Sequence, residues 1–256
     1  MFVDLFLQIC KYNTDMKKII CVLILSGCVG GKWTPPSDFN YAPIKTDTYE
    51  IATWQKINSP QNKNIHIYIE GDGYAFDAYG QPTNNPTPRG TFVRDLALAD
   101  NFDNVVYMAR PCQFIMDENC SQSDWTSGRF SKKIIDAQSA AIKQIAKDKN
   151  ITIVGYSGGA MVSGLVIQQN KKLNFEKWIT VAGVLNHKLW TDYFGDEPLI
   201  GSMNMERLPN ISQTHFIGGR DGVVPYTLAK QWAKETDIKL IPDATHDDFS
   251  GLKIFD

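Results

Sequence analysis

The sequence has little net charge and few residues that bind metals. Its 26 basic and 28 acidic residues give a formal net charge of −2, and both signs are spread along the chain. Nucleic-acid-binding proteins usually carry a basic face, so this balance argues against nucleic acid as a partner. The chain contains only four histidines, no metal-ligand cluster, no phosphate-binding glycine loop and no dinucleotide fingerprint. We therefore expect neither a metal nor another cofactor.

Apolar runs are short near the N-terminus. Lys17 and Lys18 precede the apolar residues 19–25, and small residues lead to Cys28. This order is typical of a secretory signal, and the apolar run is too short to span a bilayer. Residues 25–28, Leu-Ser-Gly-Cys, resemble a bacterial lipobox, whose cysteine is acylated. We expect a lipid anchor at Cys28 in the bacterial envelope; the alternative is a buried apolar strand with an incidental cysteine.

These features divide the chain into four parts. Met16 resembles the true start, since acidic residues precede it, and Val29 after the cysteine favours the outer membrane. Two acyl chains would suffice for stable anchoring. The predicted parts are an upstream extension (1–15), a lipoprotein signal peptide (16–27), a tether rich in proline and glycine (28–45) and a folded domain (46–256).

Cysteine is scarce in the folded part. Of five cysteines, two precede Cys28, which would carry the lipid. Cys112 and Cys120 remain, an even pair in an exported protein. Because exported proteins meet an oxidising environment, we predict a disulfide between them. Metal binding by the pair is the weaker alternative, since no histidine lies near either cysteine.

Strand-like and helix-like segments alternate after the tether. With 256 residues, 43% of them hydrophobic, the chain can build one substantial core or at most two small ones. Alternation of this kind predicts an α/β fold: a mainly parallel sheet with helices on both faces, whose functional residues gather at the carboxyl ends of the strands. The strand-like segments are 49–57, 64–70, 104–109, 151–154, 178–181, 215–217 and 238–241, and the helix-like ones are 92–99, 131–147, 160–167 and one beginning at Pro225.

One strand–helix junction carries the pentapeptide Gly-Tyr-Ser-Gly-Gly at 155–159. An apolar, β-branched strand followed by an abrupt turn and a helix is the setting of a G-x-S-x-G nucleophile elbow. The serine then projects from the carboxyl edge of the sheet, and the N–H of Gly158 can point toward a developing oxyanion. The plainer alternative is a glycine-rich turn. We identify Ser157 as the candidate nucleophile.

A serine nucleophile needs a histidine base oriented by an acid. His246 follows the last strand and is the best candidate base, while His187 is a rival at the carboxyl side of another strand. Asp221 follows the strand 215–217 and is the candidate acid, with Asp243 as a backup. The order Ser157, Asp221, His246 is the one expected of an α/β-hydrolase.

A second oxyanion donor is expected from the loop after the strand 64–70. Its sequence is Gly-Asp-Gly at 71–73. We expect the Asp72 side chain to turn away and bond locally, while a backbone N–H of Asp72 or Gly73 serves as donor. The two amides remain equal candidates.

Several motifs together resemble the α/β-hydrolase superfamily, and more closely a group of bacterial lipoprotein serine hydrolases. The resemblance covers about residues 64–250 and implies the α/β-hydrolase fold and a serine-hydrolase mechanism. Four polar or aromatic residues in these motifs either line the cleft or brace the cysteine loop, and bracing is favoured: Arg110, Gln113, Trp125 and Arg129. The motifs are Gly-Asp-Gly (71–73), Ala-Arg-Pro-Cys-Gln (109–113), Cys120, Trp-Thr-Ser-Gly-Arg-Phe (125–130) and Gly-Tyr-Ser-Gly-Gly (155–159).

The sequence therefore predicts an envelope-anchored serine hydrolase acting on acyl esters, including lipid-like ones. Its aromatic segment 185–209 is expected to form a small cap over the cleft, and an apolar acyl or aromatic group would suit it. One alternative is a non-catalytic envelope lipoprotein that uses the fold as a binding module. Another keeps the same three residues but cleaves a thioester or peptide.

Overall fold

The computed structural model describes residues 38–233 and 238–255. The predicted upstream extension, signal peptide and lipidated Cys28 lie outside the described residues. The strands are β1 (Asn40–Tyr41), β2 (Ile44–Lys45), β3 (Glu50–Ile51), β4 (Thr53–Ile57), β5 (Asn64–Ile69), β6 (Asn104–Met108), β7 (Asn150–Tyr156), β8 (Phe175–Val181), β9 (Ser212–Gly218) and β10 (Ile238–Ile241). The helices are α1 (Phe92–Leu98), α2 (Lys132–Ala146), α3 (Gly158–Gln169), α4 (His187–Phe194) and α5 (Tyr226–Trp232), with a short 3-10 helix at Gln122–Trp125.

Eight strands form one sheet in the order β1-β4-β6-β5-β7-β8-β9-β10. The six strands from β6 to β10 in this order are parallel. At one edge β4 pairs antiparallel with β6, and β1 pairs antiparallel with β4. β2 and β3 form a separate antiparallel pair. The predicted mainly parallel sheet is confirmed, and the carboxyl ends of its parallel strands meet at one edge.

Helices cover both faces of the sheet, as the alternation along β5 indicates. Ile65, Ile67 and Ile69 point to one face and belong to the main core, together with apolar residues of α2 and α3. His66 and Tyr68 point to the other face and are also buried. Because successive side chains of a strand face opposite sides, burial of both sets requires cover on both sides.

Packing explains why α3 lies at the centre of the molecule. Residues 158–167 of this helix are all buried, and the helix packs on β5, β7 and β8. A helix that is apolar all round needs neighbours on every side. On its outer side α2 supplies them, with its apolar stripe turned inward. The N-terminus of α3 is therefore fixed firmly over the carboxyl edge of the sheet.

The folded part begins before the predicted boundary at residue 46. Asn40–Tyr41 pairs with β4 and Ile44–Lys45 with β3, and Phe39 is buried. These residues continue the sheet and cover the core, so the last part of the predicted tether belongs to the folded part instead.

The small insertion at 185–209 is present in the fold. It contains α4, whose N-cap Asn186 accepts a hydrogen bond from the Leu189 N–H at 3.0 Å. Leu199 and Met205 are buried in the core, which holds the segment down on the domain. That the segment forms a cap over the cleft stays a prediction. Among the described residues, no helix combines the length and apolarity needed to cross a bilayer.

The predicted disulfide between Cys112 and Cys120 is present. Cys112 is almost fully buried, and Cys120 packs against the main core. The bond closes the loop that follows β6. This loop also anchors the N-terminal strands, since Asp117 accepts a hydrogen bond from the Glu50 N–H at 3.0 Å.

We predict that replacing both cysteines by serine (Cys112→Ser with Cys120→Ser) lowers the free energy of unfolding by up to about 2.6 kcal/mol, because the unfolded chain regains loop entropy. Urea denaturation of the folded domain measures this loss. A reductant should bring the wild type to the midpoint of the variant and leave the variant unaffected. A variant as stable as the oxidised wild type would contradict the prediction.

Candidate active site

Ser157 occupies a sharp turn between β7 and α3. Its backbone has φ 50° and ψ −121°, a conformation that non-glycine residues rarely adopt and that costs about 1 to 3 kcal/mol. Hydrogen bonds hold it there: its N–H donates to the carbonyl of Val181 at 3.0 Å, and its carbonyl accepts the N–H of Val184 at 3.0 Å. The strained turn is thus tied to the end of β8, and it raises the serine above the edge of the sheet.

Two glycines let the strand and helix approach each other at this turn. A Cβ at Gly155 would lie 2.6 Å from the carbonyl oxygen of Gly159. A Cβ at Gly159 would lie 2.5 Å from the carbonyl oxygen of Glu70, at the end of β5. Both positions therefore require glycine, which explains the spacing of the pentapeptide.

The structure brings Ser157, His246 and Asp221 together. His246 Nε2 lies 3.0 Å from Ser157 Oγ, and His246 Nδ1 lies 2.9 Å from Asp221 Oδ2. With Nδ1 donating to the carboxylate, Nε2 is left as the acceptor for the serine proton. The three side chains come from the carboxyl ends of β7, β9 and β10, where the topology predicts functional residues.

Asp221 is held in one orientation by its own loop. Its Oδ1 accepts the backbone N–H groups of Val223 and Val224, both at 2.8 Å, and its side chain is fully buried. This leaves Oδ2 for the imidazole. Aspartate side chains in turns commonly accept hydrogen bonds from backbone N–H groups two and three residues onward. The residue type is therefore the sequence signal for these two bonds.

The other histidines have different surroundings. His187 opens α4, where its ring stacks against Phe130 with centroids 5.7 Å apart, and burial lowers its pKa. His215 lies in the middle of β9 and is bonded to Thr180 Oγ1 at 2.8 Å. Asp243, the predicted backup acid, pairs with Arg220 at 2.8 Å in an exposed position.

The predicted oxyanion donors lie next to Ser157. Gly158 is the first residue of α3, so its N–H has no partner within the helix. In the loop after β5, the N–H of Gly71 donates to Glu70 Oε1 at 3.0 Å, and that of Tyr74 donates to the carbonyl of Pro86 at 3.0 Å. The amides between them, those of Asp72 and Gly73, are the candidates that remain.

The side chain of Asp72 does not bond locally as expected. Its carboxylate pairs with Arg110 and with Arg129, the latter at 2.7 Å. Burial by itself would raise the pKa of Asp72, but the two guanidinium groups outweigh it and lower the pKa. A Cβ at Gly158 would overlap Asp72 Oδ1, so this ionised carboxylate lies directly against the start of α3.

The residues that follow β6 brace this loop. Arg110 also donates to the backbone carbonyl of Arg129, and the Arg110 N–H donates to Gln113 Oε1 at 3.0 Å. Gln113 Nε2 in turn donates to the carbonyl of Gly71 at 2.9 Å. Trp125 Nε1 donates to the carbonyl of Thr83 at 3.0 Å. All four motif residues thus hold together loops around the site.

Glu70 lies beneath the same loop. Its Oε1 accepts from the Gly71 N–H, and its Oε2 accepts from the hydroxyl of Tyr107 at 2.7 Å. Burial raises the pKa of Glu70, although these bonds and the nearby Arg94 and Arg110 act against the rise. The Glu70 carboxyl group therefore fixes the loop. Because the group is buried, its ionised form costs more free energy than its protonated form.

A cavity of about 370 Å³ opens above Ser157. Its walls are mainly residues of the segment from Glu70 to Phe92, with Val223 on another side. Trp190 of α4 reaches the site through Val223, whose carbonyl accepts its Nε1 at 2.7 Å. The aromatic members of the lining are Tyr74, Phe92 and Tyr156. Among the described residues, no group of three or more His, Cys, Asp or Glu could hold a metal ion.

We predict that the stability of Glu70→Gln relative to the wild type increases as the pH rises. Burial raises the folded-state pKa of Glu70 above its ordinary value of 4.5, so the folded state holds this proton to higher pH than the unfolded chain does. Wild-type stability therefore falls, relative to the variant, as pH rises through that window. The melting temperature of the variant minus that of the wild type should increase from about pH 4 to about pH 8.

The exposed Glu118 offers a matched control for this measurement. Glu118→Gln removes the same charge, but from an exposed carboxyl group. The melting temperature of this variant minus that of the wild type should therefore change little with pH. A Glu70→Gln difference that stays constant over the range would contradict the prediction.

Comparisons with known proteins identify the fold of this chain. No family model and no curated protein matches the sequence. Among solved structures, an esterase from Pyrococcus furiosus is similar, with TM-score 0.57, 15% identity and coverage of 85% of this chain and 88% of the other. Est1E from Butyrivibrio proteoclasticus with bound ferulic acid has TM-score 0.58, 14% identity and coverage of 82% and 92%.

A third similar structure is a lidless α/β serine hydrolase from Xanthomonas campestris, with TM-score 0.53, 13% identity and coverage of 82% and 87%. The similarity in each case extends over most of both chains. The sheet order, the elbow between β7 and α3, and these similarities lead to one conclusion: this chain has the α/β-hydrolase fold.

Proposed function

We propose that the protein is a serine hydrolase that cleaves ester bonds. The observation that carries the proposal is the pair of hydrogen bonds joining Ser157, His246 and Asp221, at 3.0 and 2.9 Å. A serine hydroxyl is a poor nucleophile unless a base can remove its proton, and this arrangement supplies both the base and the acid that orients it.

In the first half of the reaction, Ser157 Oγ attacks the acyl carbon while His246 Nε2 takes the serine proton. The carbonyl oxygen gains the negative charge and accepts hydrogen bonds from the Gly158 N–H and from the amide of Asp72 or Gly73. Asp221 stabilises the imidazolium that forms. Loss of one such oxyanion donor costs about a hundredfold to a thousandfold in kcat in other hydrolases.

In the second half, the tetrahedral intermediate collapses. The bond from the acyl carbon to the leaving oxygen breaks, and His246 gives its proton to that oxygen, which leaves as the alcohol. A water molecule then attacks the acyl-enzyme and passes a proton to His246. The new intermediate collapses with release of the carboxylic acid, and the proton on His246 returns to Ser157 Oγ.

Charge around the site favours this chemistry. Asp72 would by itself oppose the negative charge of the intermediate, but Arg110 and Arg129 both contact its carboxylate. The three side chains together carry one net positive charge beside the start of α3. One of the similar solved structures is an esterase by name, which favours an ester as the substrate.

We also propose that the enzyme is anchored in the bacterial envelope through lipid on Cys28. Support comes from the lipobox-like residues 25–28 and from the disulfide between Cys112 and Cys120, since disulfides persist in exported proteins. The substrate would then be an ester that reaches the envelope, including a lipid-like one.

We predict that Ser157→Ala lowers kcat/KM for short p-nitrophenyl esters at least about a thousandfold, because no nucleophile remains. The thermal midpoint should be unchanged or slightly higher, since alanine removes only a hydroxyl. Release of p-nitrophenol followed by absorbance measures the rate.

Ser212→Ala is a suitable control, because Ser212 is an exposed serine at the start of β9, at the edge of the sheet away from the site. It should keep wild-type turnover. Turnover by Ser157→Ala at the wild-type rate would refute the proposed nucleophile.

We predict that Cys28→Ala abolishes lipid attachment in a bacterial host that processes lipoproteins. Intact mass measurement of the membrane fraction should show an acylated wild type that begins at Cys28, and the variant should lose that species. Cys21→Ala should leave lipid attachment unchanged. A wild-type protein recovered without acyl groups would contradict the proposed anchor.

A further inference from the structure

One arginine at the cavity takes no part in the contacts that brace the loops around the site. Arg89 lines the cavity that holds Ser157 and His246. Its guanidinium carbon lies 3.3 Å from the centroid of the Tyr74 ring, a stacked cation–π contact. The ring covers one face of the guanidinium and leaves its N–H groups, which lie in the plane, directed to the sides.

Arg89 has no acidic partner in the part of the chain that the structure describes, since no ion pair there joins it to a carboxylate. The residue is exposed, whereas Arg110 and Arg129 are buried and paired with Asp72. It therefore offers unused hydrogen-bond donors and a positive charge at the cavity.

Three carboxylates line the same cavity. Two of them are already bonded to other groups, and the third belongs to the segment that carries His246. Glu70 is bonded to Tyr107 and to the Gly71 N–H, and Asp72 is held by its two arginines. Asp247 also lines the cavity, next to His246 in the chain. A negatively charged substrate would meet repulsion from Asp247 and attraction from Arg89, which would direct its charged end toward the segment 74–92.

We propose that Arg89 binds a carboxylate carried by the substrate, so that the enzyme prefers esters with a negative charge over neutral esters of the same size. The inference rests on the proposed ester hydrolysis at Ser157 and adds the class of substrate. A planar guanidinium and a carboxylate can form two parallel hydrogen bonds, which gives orientation as well as attraction. Tyr74 restricts the guanidinium beforehand, so less rotational freedom is lost on binding.

Two pairs of esters test the inference. In the first pair, mono-p-nitrophenyl succinate has its carboxylate on the acyl half, and p-nitrophenyl butyrate is its neutral counterpart. In the second pair, 4-acetoxybenzoate has the carboxylate on the leaving half, and its methyl ester is neutral. The rate with Ser157→Ala is subtracted as background, because the succinate ester also hydrolyses without an enzyme.

The measured quantity is kcat/KM for the charged ester divided by kcat/KM for its neutral counterpart. In Arg89→Gln this ratio should fall about tenfold for at least one pair, the size expected for loss of a charge-assisted hydrogen bond. Arg89→Glu should lower it further, and Arg89→Lys should give an intermediate value, since charge remains but the planar fork is lost. The wild-type ratio should also decrease with added salt.

Arg207→Gln serves as the matched control, because Arg207 is an exposed arginine outside the cavity lining; its ratios should equal those of the wild type. The ratios for both pairs could stay the same in Arg89→Gln while Ser157-dependent cleavage of the neutral esters is intact. That result would overturn the role of Arg89 but leave the proposed ester hydrolysis standing. Absence of Ser157-dependent cleavage of every ester would overturn the proposed function, and this inference with it.

Discussion

The site depends on the backbone of Ser157, which is held in a left-handed conformation at the junction of β7 and α3. β7 lies in the middle of the sheet, between β5 and β8, so the turn is fixed from both sides. On one side the Ser157 N–H is bonded to Val181 at the end of β8. On the other side Gly159 lies so close to the end of β5 that a Cβ there would lie 2.5 Å from the carbonyl oxygen of Glu70. The same turn thereby places the serine, the free N–H groups of α3 and the loop after β5 within reach of one substrate.

A second constraint is electrostatic. An ionised carboxylate beside the start of α3 would normally hinder a reaction that creates negative charge there. Here Asp72 is paired with Arg110 and Arg129, and the two arginines also connect the loop after β5 to the loop after β6. Asp72 therefore serves as a link between loops, and the surplus positive charge of the arginines remains near the proposed oxyanion position. Gln113 and the disulfide stabilise the same connection.

Much of this arrangement could be predicted from the sequence, because it depends on local patterns. The elbow shows itself as a strand, a Gly-x-Ser-Gly-Gly turn and a helix, and the parallel topology then brings the ends of β7, β9 and β10 to one edge. The few histidines made His246 identifiable by elimination. The pairing of Asp72 with two distant arginines was not predictable, since it depends on how the loop after β6 folds back. The same holds for the contact of Arg89 with Tyr74, which is set by packing between loops rather than by any periodic pattern.

The central claim is that His246 activates the hydroxyl of Ser157. Reaction of the folded domain with a fluorophosphonate, followed by peptide mass spectrometry, tests it most directly, because this reagent reacts with a serine only when a base removes its proton. The account predicts one adduct on Ser157 in the wild type and a strongly reduced rate of labelling in His246→Ala, although both proteins remain folded. Equal labelling of both proteins, or an adduct on another serine, would contradict it.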